Sequence, residues 1–197
     1  MSSSFLPAAG GYRNLMAFRI TEIVYDLTVV FTKRFIPQGS RTTDQMVQAA
    51  RSGRQNIAEG SAASATSKET EIKLTNVARA SLEELRLDYE DYLRQNGLPQ
   101  WPWRSPEARR VRAYTLSEEF MRDPMKYAHR YPADKFCNLC ITLIYQAQAL
   151  LSRLLERQQQ EFVEQGGIKE LMYRARTAYR DGHGGWQAHP KRADSSE

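Results

Sequence analysis

The sequence is poor in the residues that most enzymes use for chemistry. It holds two cysteines and three histidines among 197 residues, and no histidine occurs before position 129. A nucleophilic active site places a serine, cysteine or threonine beside a base and an orienting group, and no such set is evident. The phosphate-binding patterns GxxxxGKS, GxxxxGKT and GxGxxG do not occur either. We therefore predict that the protein is not an enzyme and binds no cofactor.

The two cysteines, Cys137 and Cys140, have the CxxC spacing of redox motifs and of half a zinc site. Zinc takes about four ligands, and the histidines follow no finger-like spacing (His129, His183 and His189). Di-iron sites of helix bundles use Glu-x-x-His pairs, which the long helical segments lack. Because both cysteines lie on an apolar helical pattern, we predict buried thiols in a reducing compartment and no metal site.

Long apolar runs are also missing. No stretch approaches the roughly 18 consecutive apolar residues of a membrane span, and the N-terminal segment lacks the basic and then apolar pattern of a secretion signal. We therefore expect a cytoplasmic protein without a membrane partner. The 28 basic residues exceed the 23 acidic ones, for a net charge of +5. This excess is compatible with a polyanionic partner but does not require one.

Helical periodicity, in contrast, is abundant. Apolar residues recur at spacings of three and four in four long segments, which predict helices over residues 14–35, 43–59, 66–97 and 132–165. A shorter helix is expected between the third and fourth, and another after the fourth. The pattern predicts an all-α, antiparallel up-down four-helix bundle with a short connecting helix and a C-terminal helical extension.

Local signals place the ends of the second and third helices. Thr43 is expected to cap the second helix at its start, and Gly60 to stop it. Thr66 and Glu69 have the spacing of a capping box, in which each side chain satisfies a backbone amide of the other residue. That box is expected to open the third helix.

The other boundaries come from proline and glycine. Ser105 and Pro106 suit the N-cap and first position of the connecting helix, and Gly166 with Gly167 separates the fourth helix from the last one. These signals divide the chain into a flexible N-terminus (1–11), the bundle (12–165), an amphipathic C-terminal helix (166–181) and a disordered tail (182–197).

Two helical faces have unusual compositions. Phe18, Tyr25 and Val29 widen the apolar surface of the first helix beyond one stripe, and we expect them to face a second subunit because such a strip is unfavourable in water. Small residues recur on one side of the second helix, where a neighbouring backbone can approach closely. That side consists of Met46, Ala50, Gly53, Ile57 and Gly60.

Two polar residues follow this small-residue face. Asn56 and Glu59 are predicted to form a structural polar network that bonds across the bundle or caps a turn. The alternative is that Asn56 joins Arg51, Arg54 and Gln55 in a polar surface that binds a ligand or nucleic acid.

Three groups of basic residues support a binding hypothesis, because arginine contacts phosphates and an aromatic ring stacks on unpaired bases. They are Arg51 and Arg54; Arg109, Arg110 and Arg112, which follow Trp101 and Trp103; and Lys169, Tyr173, Arg176 and Arg180. The alternative is structural: the tryptophans cover the end of the bundle, and the arginines form a solvated face.

Four short motifs together resemble one known family. They are NIAEG at residues 56–60, the Ser/Ala-rich turn that follows, TSKE at 66–69 and ASLEEL at 80–85. The region from about Tyr12 to Glu156 that contains them resembles the 23S rRNA intervening-sequence proteins, also labelled S23-like. The C-terminal addition resembles the suffix that a subset of this family carries after its four-helix bundle.

The resemblance implies a four-helix bundle that assembles into a homopentamer with a basic surface, for which nucleic-acid binding is the usual proposal. The related accessory variability determinant of diversity-generating retroelements is associated with a reverse transcriptase and its nucleic acid. We therefore expect a non-enzymatic homo-oligomer that binds structured RNA or DNA through basic outer surfaces. The alternative is a structural adaptor that binds a protein such as a reverse transcriptase.

Overall fold

The computed structural model describes residues 11–182, and no strand occurs within that range. A short 3-10 turn precedes seven helices: α1 Met16–Phe35, α2 Arg41–Ala63, α3 Lys68–Gln95, α4 Pro106–Thr115, α5 Glu118–Arg122, α6 Ala133–Gln165 and α7 Ile168–Gly182. The prediction of an all-α chain is thus confirmed for these residues. The predicted flexible N-terminus and disordered tail lie outside the described residues, apart from Gly11 and Gly182.

The four long helices enclose one hydrophobic core. α1 packs against α2, α2 against α3, α3 against α6, and α6 against α1. Burial of apolar surface is the main driving force for such an arrangement. The largest side chains that it buries completely include Phe31, Met46, Leu82, Tyr89, Phe136 and Leu143.

The small residues of α2 allow α3 to approach closely, as predicted. A Cβ atom at Gly53 would lie 2.9 Å from Leu82 Cδ2, and one at Gly60 would lie 3.3 Å from Leu74 Cβ. The prediction that Gly60 ends the helix is wrong, because its missing side chain serves this close contact and α2 continues to Ala63.

Two predicted N-caps are displaced. Ser40, not Thr43, caps α2, since its Oγ accepts a hydrogen bond from the Thr42 amide at 3.2 Å. Ser67, not Thr66, caps α3, and its Oγ accepts from the Thr70 amide at 3.1 Å. Both segments contain adjacent hydroxyl residues, and any of them can serve as a cap.

The connection between α3 and α6 forms α4 and α5 where one helix was predicted. Ser105 and Pro106 open α4 as predicted, with Ser105 Oγ accepting from the Ala108 amide at 3.1 Å. Ser117 then caps α5. Phe120 of α5 is buried in the core, so the connection is part of the packed structure.

This connection also covers one flank of α1. Arg19 Nη2 donates to the Met121 carbonyl at 2.6 Å, and Arg34 Nη2 donates to the Tyr131 carbonyl at 3.0 Å. These charge-assisted bonds satisfy backbone oxygens of the connection. The connection is therefore bonded to α1 at two points about four turns apart.

The opposite flank of α1 is covered as well. Phe18 is only 7% exposed, and its ring meets Tyr12 edge-on at 4.7 Å. Arg54 of α2 places its guanidinium carbon 4.6 Å from the centre of the Tyr25 ring. Val29 is partly exposed. Phe18 is thus buried within the chain, whereas Tyr25 and Val29 stay partly exposed. The contact of this face with a second subunit stays a prediction.

α7 begins at the predicted glycine break. Gly166 has φ +74, a conformation that favours glycine, and the Gly167 amide donates to Glu170 Oε2 at 2.9 Å. α7 makes no extensive contact with another helix, and Met172 and Tyr173 on it are exposed. No helix in residues 11–182 has the length and apolar content needed to cross a membrane.

Candidate nucleic-acid interface

The Trp- and Pro-rich connection and α4 form one surface with α6. Trp103 is 54% exposed, and the guanidinium carbon of Arg112 lies 4.0 Å from the centre of its ring. Arg112 Nη1 also donates to the Trp103 carbonyl at 2.6 Å. Tyr145 of α6 meets the indole edge-on at 5.6 Å. The structure therefore brings together an exposed aromatic ring and a basic residue that are nine positions apart.

The other arginines of this segment are near Trp103 in the chain. Arg104, Arg109 and Arg110 are exposed, and Glu107 is the one acid among residues 101–113. Arg110 and Glu107 form an exposed ion pair at 3.3 Å, and such a pair contributes little to stability. Arg110 can thus exchange Glu107 for another anion, and the surface keeps an excess of positive charge.

A cavity of about 510 Å³ lies between the connection and α6. Its walls are mainly apolar and aromatic: Gln100, Trp101, Pro102, Trp103, Ala108, Asn138, Ile141, Thr142 and Tyr145. Trp101 is partly buried, as expected for a residue that covers the core, whereas Trp103 is more exposed. Trp101 therefore fits the structural interpretation, whereas the exposed ring of Trp103 remains accessible to a ligand.

Asn138 fixes the wall of this cavity. Its Nδ2 donates to the Pro99 carbonyl at 2.9 Å and to the Asp134 carbonyl at 2.8 Å, while its Oδ1 accepts from the Trp101 amide at 2.8 Å. It is 4% exposed, so these bonds satisfy a buried amide group. Asn138 was not among the predicted site residues, although a polar residue between Cys137 and Leu139 on an apolar helix was a signal.

Comparisons of this chain with family models, with curated proteins and with solved structures find no match. The S23-like resemblance stays a prediction that rests on the four motifs.

The positive charge of nearby Arg86 is balanced within the structure. Its guanidinium pairs with Glu83 and Glu90 along α3 and lies 5.4 Å from the centre of the Tyr145 ring. The hydrogen bonds from Arg86 and then from Gln148 lower the pKa of Glu83 to about 2. The excess positive charge near the cavity therefore comes from α4 and the residues before it.

The predicted polar network is centred on Asn56 and excludes Glu59. Asn56 Nδ2 donates to Ser52 Oγ at 3.0 Å, and Ser52 Oγ lies 2.9 Å from Ser81 Oγ on α3. Glu59 is exposed and accepts from Gln55 Nε2 within α2. The hydrogen bond between α2 and α3 thus joins Ser52 and Ser81, and neither serine was predicted from the sequence.

The three predicted basic groups have different surroundings. Arg51 is exposed, whereas Arg54 is stacked on Tyr25. Lys169, Tyr173, Arg176 and Arg180 are exposed on α7. α4 packs on α6 near Tyr145, about 20 residues before α6 ends, which is about 30 Å along a helix. α7 begins beyond that end of α6 and makes no extensive contact with α4.

The CxxC pair is buried, as predicted. Both thiols are free and inaccessible. Burial raises the pKa of Cys140 to about 12, and it raises the pKa of Cys137 further. Both groups therefore remain protonated near neutral pH and are poor nucleophiles. Within residues 11–182, no group of three or more histidines, cysteines and acids could hold a metal ion.

Proposed function

We propose that this chain is a non-enzymatic protein that binds structured RNA or DNA, and that the main contact is the surface of Arg104, Arg109, Arg110 and Arg112 around Trp103. The observation that carries the proposal is a half-exposed indole covered by the partly buried Arg112, in a segment whose other three arginines are exposed. Arginine provides salt-dependent phosphate contacts, and an indole offers a stacking face. The arginines of α2 and the basic strip of α7 are secondary contacts in this proposal.

The architecture that we propose is an antiparallel up-down four-helix bundle with a cytoplasmic location. Its support is the closed order of contacts among α1, α2, α3 and α6. Short connections, over residues 36–40 and 64–67, join the first three of these helices, and short connections favour antiparallel neighbours. The longer connection before α6 carries the candidate interface.

The salt dependence of binding tests the proposed function. We expect affinity for an RNA hairpin to fall steeply between roughly 50 and 200 mM salt, because bound arginines release counterions. Replacing Arg109, Arg110 and Arg112 by alanine should lower the slope of log affinity against log salt by about 2–3. Fluorescence anisotropy of a labelled hairpin measures both quantities.

A matched control separates this surface from total charge. Lys33, Lys135 and Arg153 are exposed on α1 and α6, and their triple alanine variant removes the same charge. We expect this control to keep the slope of the unmodified protein. Absence of hairpin binding at low salt, or equal slopes for the two triple variants, would contradict the proposed interface.

We propose further that the chain forms a homo-oligomer in which α7 of one copy packs against a second copy. The uncovered apolar side of α7 includes Leu171 and Met172. A shallow groove of about 690 Å³ between α3 and α6 is lined by Ile72, Val77 and Phe162, among others. One chain thus carries an apolar helix and an apolar groove, and pairing them between copies makes a head-to-tail contact that can close into a ring. The resemblance to the S23-like family implies that the oligomer is a pentamer.

Replacing Leu171 by glutamate tests this assembly. The buried carboxylate would oppose packing of α7, so light scattering should give a lower mass for this variant than for the unmodified protein. Thr177→Glu adds the same charge on another side of α7 and should leave the mass unchanged. A monomeric unmodified protein would contradict self-association and would favour the adaptor alternative, in which a different protein covers α7.

A further inference from the structure

We infer that the cavity behind Trp103 receives an unpaired base of the bound nucleic acid. This inference rests on the proposed function and adds to it, because phosphate contacts by arginine alone require no cavity. An unpaired nucleotide in a loop or bulge can leave its stack and present a flat aromatic face. The ligand class is therefore a nucleic acid with at least one unpaired base, and a fully paired duplex is excluded.

The size and lining of the cavity suit such a base. Its volume of about 510 Å³ is within the range of small-molecule sites. Trp103, Pro102 and Tyr145 supply flat or rigid apolar walls, and Ile141 of α6 contributes to the lining. The bonds of Asn138 hold the backbone at Pro99 and Trp101 against α6. The cavity is therefore preformed, so little ordering of the protein would oppose binding.

Trp103 is held for stacking by its neighbours. Arg112 lies over its ring and also bonds its carbonyl, while Tyr145 contacts the ring edge-on. Arg112 is not among the residues that line the cavity. The guanidinium therefore covers the indole from outside the cavity and leaves ring surface for a base, and a cation over an aromatic ring is itself favourable.

The surrounding charge favours a nucleic acid over a peptide. Proline-rich peptides also dock on aromatic grooves, but they carry no phosphates for the adjacent arginines to contact. Arg104 and Arg109 are exposed and directly follow the lining residues Trp103 and Ala108 in the chain. Arg86, in contrast, is balanced by Glu83 and Glu90. A base in the cavity would place its flanking phosphates within the positive region.

The cavity offers few polar groups that could distinguish one base from another. The Asn138 side chain donates and accepts bonds within the protein, and Thr142 Oγ1 donates to the Asn138 carbonyl. Stacking is tolerant of sequence because every base has an aromatic face. We therefore expect recognition of an unpaired base with little preference among the four bases.

Two RNA hairpins of identical stem test the inference. One has a normal loop, and the other has a loop whose nucleotides lack bases but keep their phosphates. Trp103→Ala should weaken binding of the normal hairpin by about 10-fold or more and should leave the abasic hairpin unchanged. Trp103→Phe, which keeps an aromatic face, should retain most of the affinity. The normal hairpin alone should quench tryptophan fluorescence in the unmodified protein.

The controls separate this inference from the proposed function. Leu116→Ala removes another exposed apolar side chain, 70% exposed and outside the cavity lining, and should change neither affinity. If both hairpins bind equally and Trp103→Ala has no effect, the cavity inference fails while nucleic-acid binding stands. If neither hairpin binds at low salt, the cavity inference and the proposed function both fail. If a proline-rich peptide quenches tryptophan fluorescence and the normal hairpin cannot displace it, the ligand of the cavity is a peptide and the inference is wrong.

Discussion

Replacing Phe31 by alanine is expected to destabilise the protein by about 3–5 kcal/mol. The Phe31 ring is fully buried, with its centre 4.9 Å from that of Tyr89, 5.0 Å from Tyr92, 5.2 Å from Phe35 and 5.6 Å from Phe136. These residues belong to α1, α3 and α6. The substitution removes apolar contacts with three helices and leaves a cavity that their backbones cannot close.

Urea unfolding followed by circular dichroism measures this loss. Val163→Ala is the control, because Val163 is on α6, is 82% exposed and lies outside the lining of the groove between α3 and α6. The control should cost about 1 kcal/mol or less, since little buried area is lost. Equal losses for the two variants would show that Phe31 is not at the centre of the packing.

Replacing Gly53 by valine should destabilise the protein by about 2–3 kcal/mol. Its Cβ would lie 2.9 Å from Leu82 Cδ2 and 3.0 Å from Leu82 Cγ. Leu82 is fully buried in a closely packed interior, so its side chain can shift only by displacing its neighbours. α2 and α3 would have to separate, and contacts along both helices would weaken.

The free energy of unfolding again measures the effect, with Ala62→Val as the control. Ala62 is also on α2 but is exposed, so valine there should change stability by about 0.5 kcal/mol or less. Gly53→Ala provides a second test, because alanine favours a helix over glycine by about 1 kcal/mol. A stability gain in both Gly53 variants would mean that the contact with Leu82 is not tight.

Several features of the fold were predictable because they depend on local sequence. The spacing of apolar residues predicted the four long helices, and Ser105 with Pro106 predicted the start of α4. The small side chain of Gly53 predicted a close approach to another helix. Each prediction rests on residues within a few helical turns of each other, where geometry is set by the helix itself.

Other features were mispredicted or missed because distant residues decide them. Glycine often ends a helix, but Gly60 packs close to Leu74 and lies inside α2. The apolar residues of α1 predicted a broad face, but not that Tyr12 packs on Phe18 and Arg54 on Tyr25. In each case, the pattern identified a surface that needed a partner and could not identify the partner.

The same division applies to the candidate interface. The amino-acid sequence alone determined that the region has four arginines, two tryptophans and one acid between residues 101 and 113, and charge and aromatic content are properties of composition. Only the tertiary structure decided that Arg112 covers Trp103, that Tyr145 and Ile141 of α6 complete a cavity, and that Asn138 anchors its wall. These contacts with α6 join residues at least 37 positions apart, such as Asn138 and Trp101. Periodicity within one helix carries no information about which distant side chains will meet.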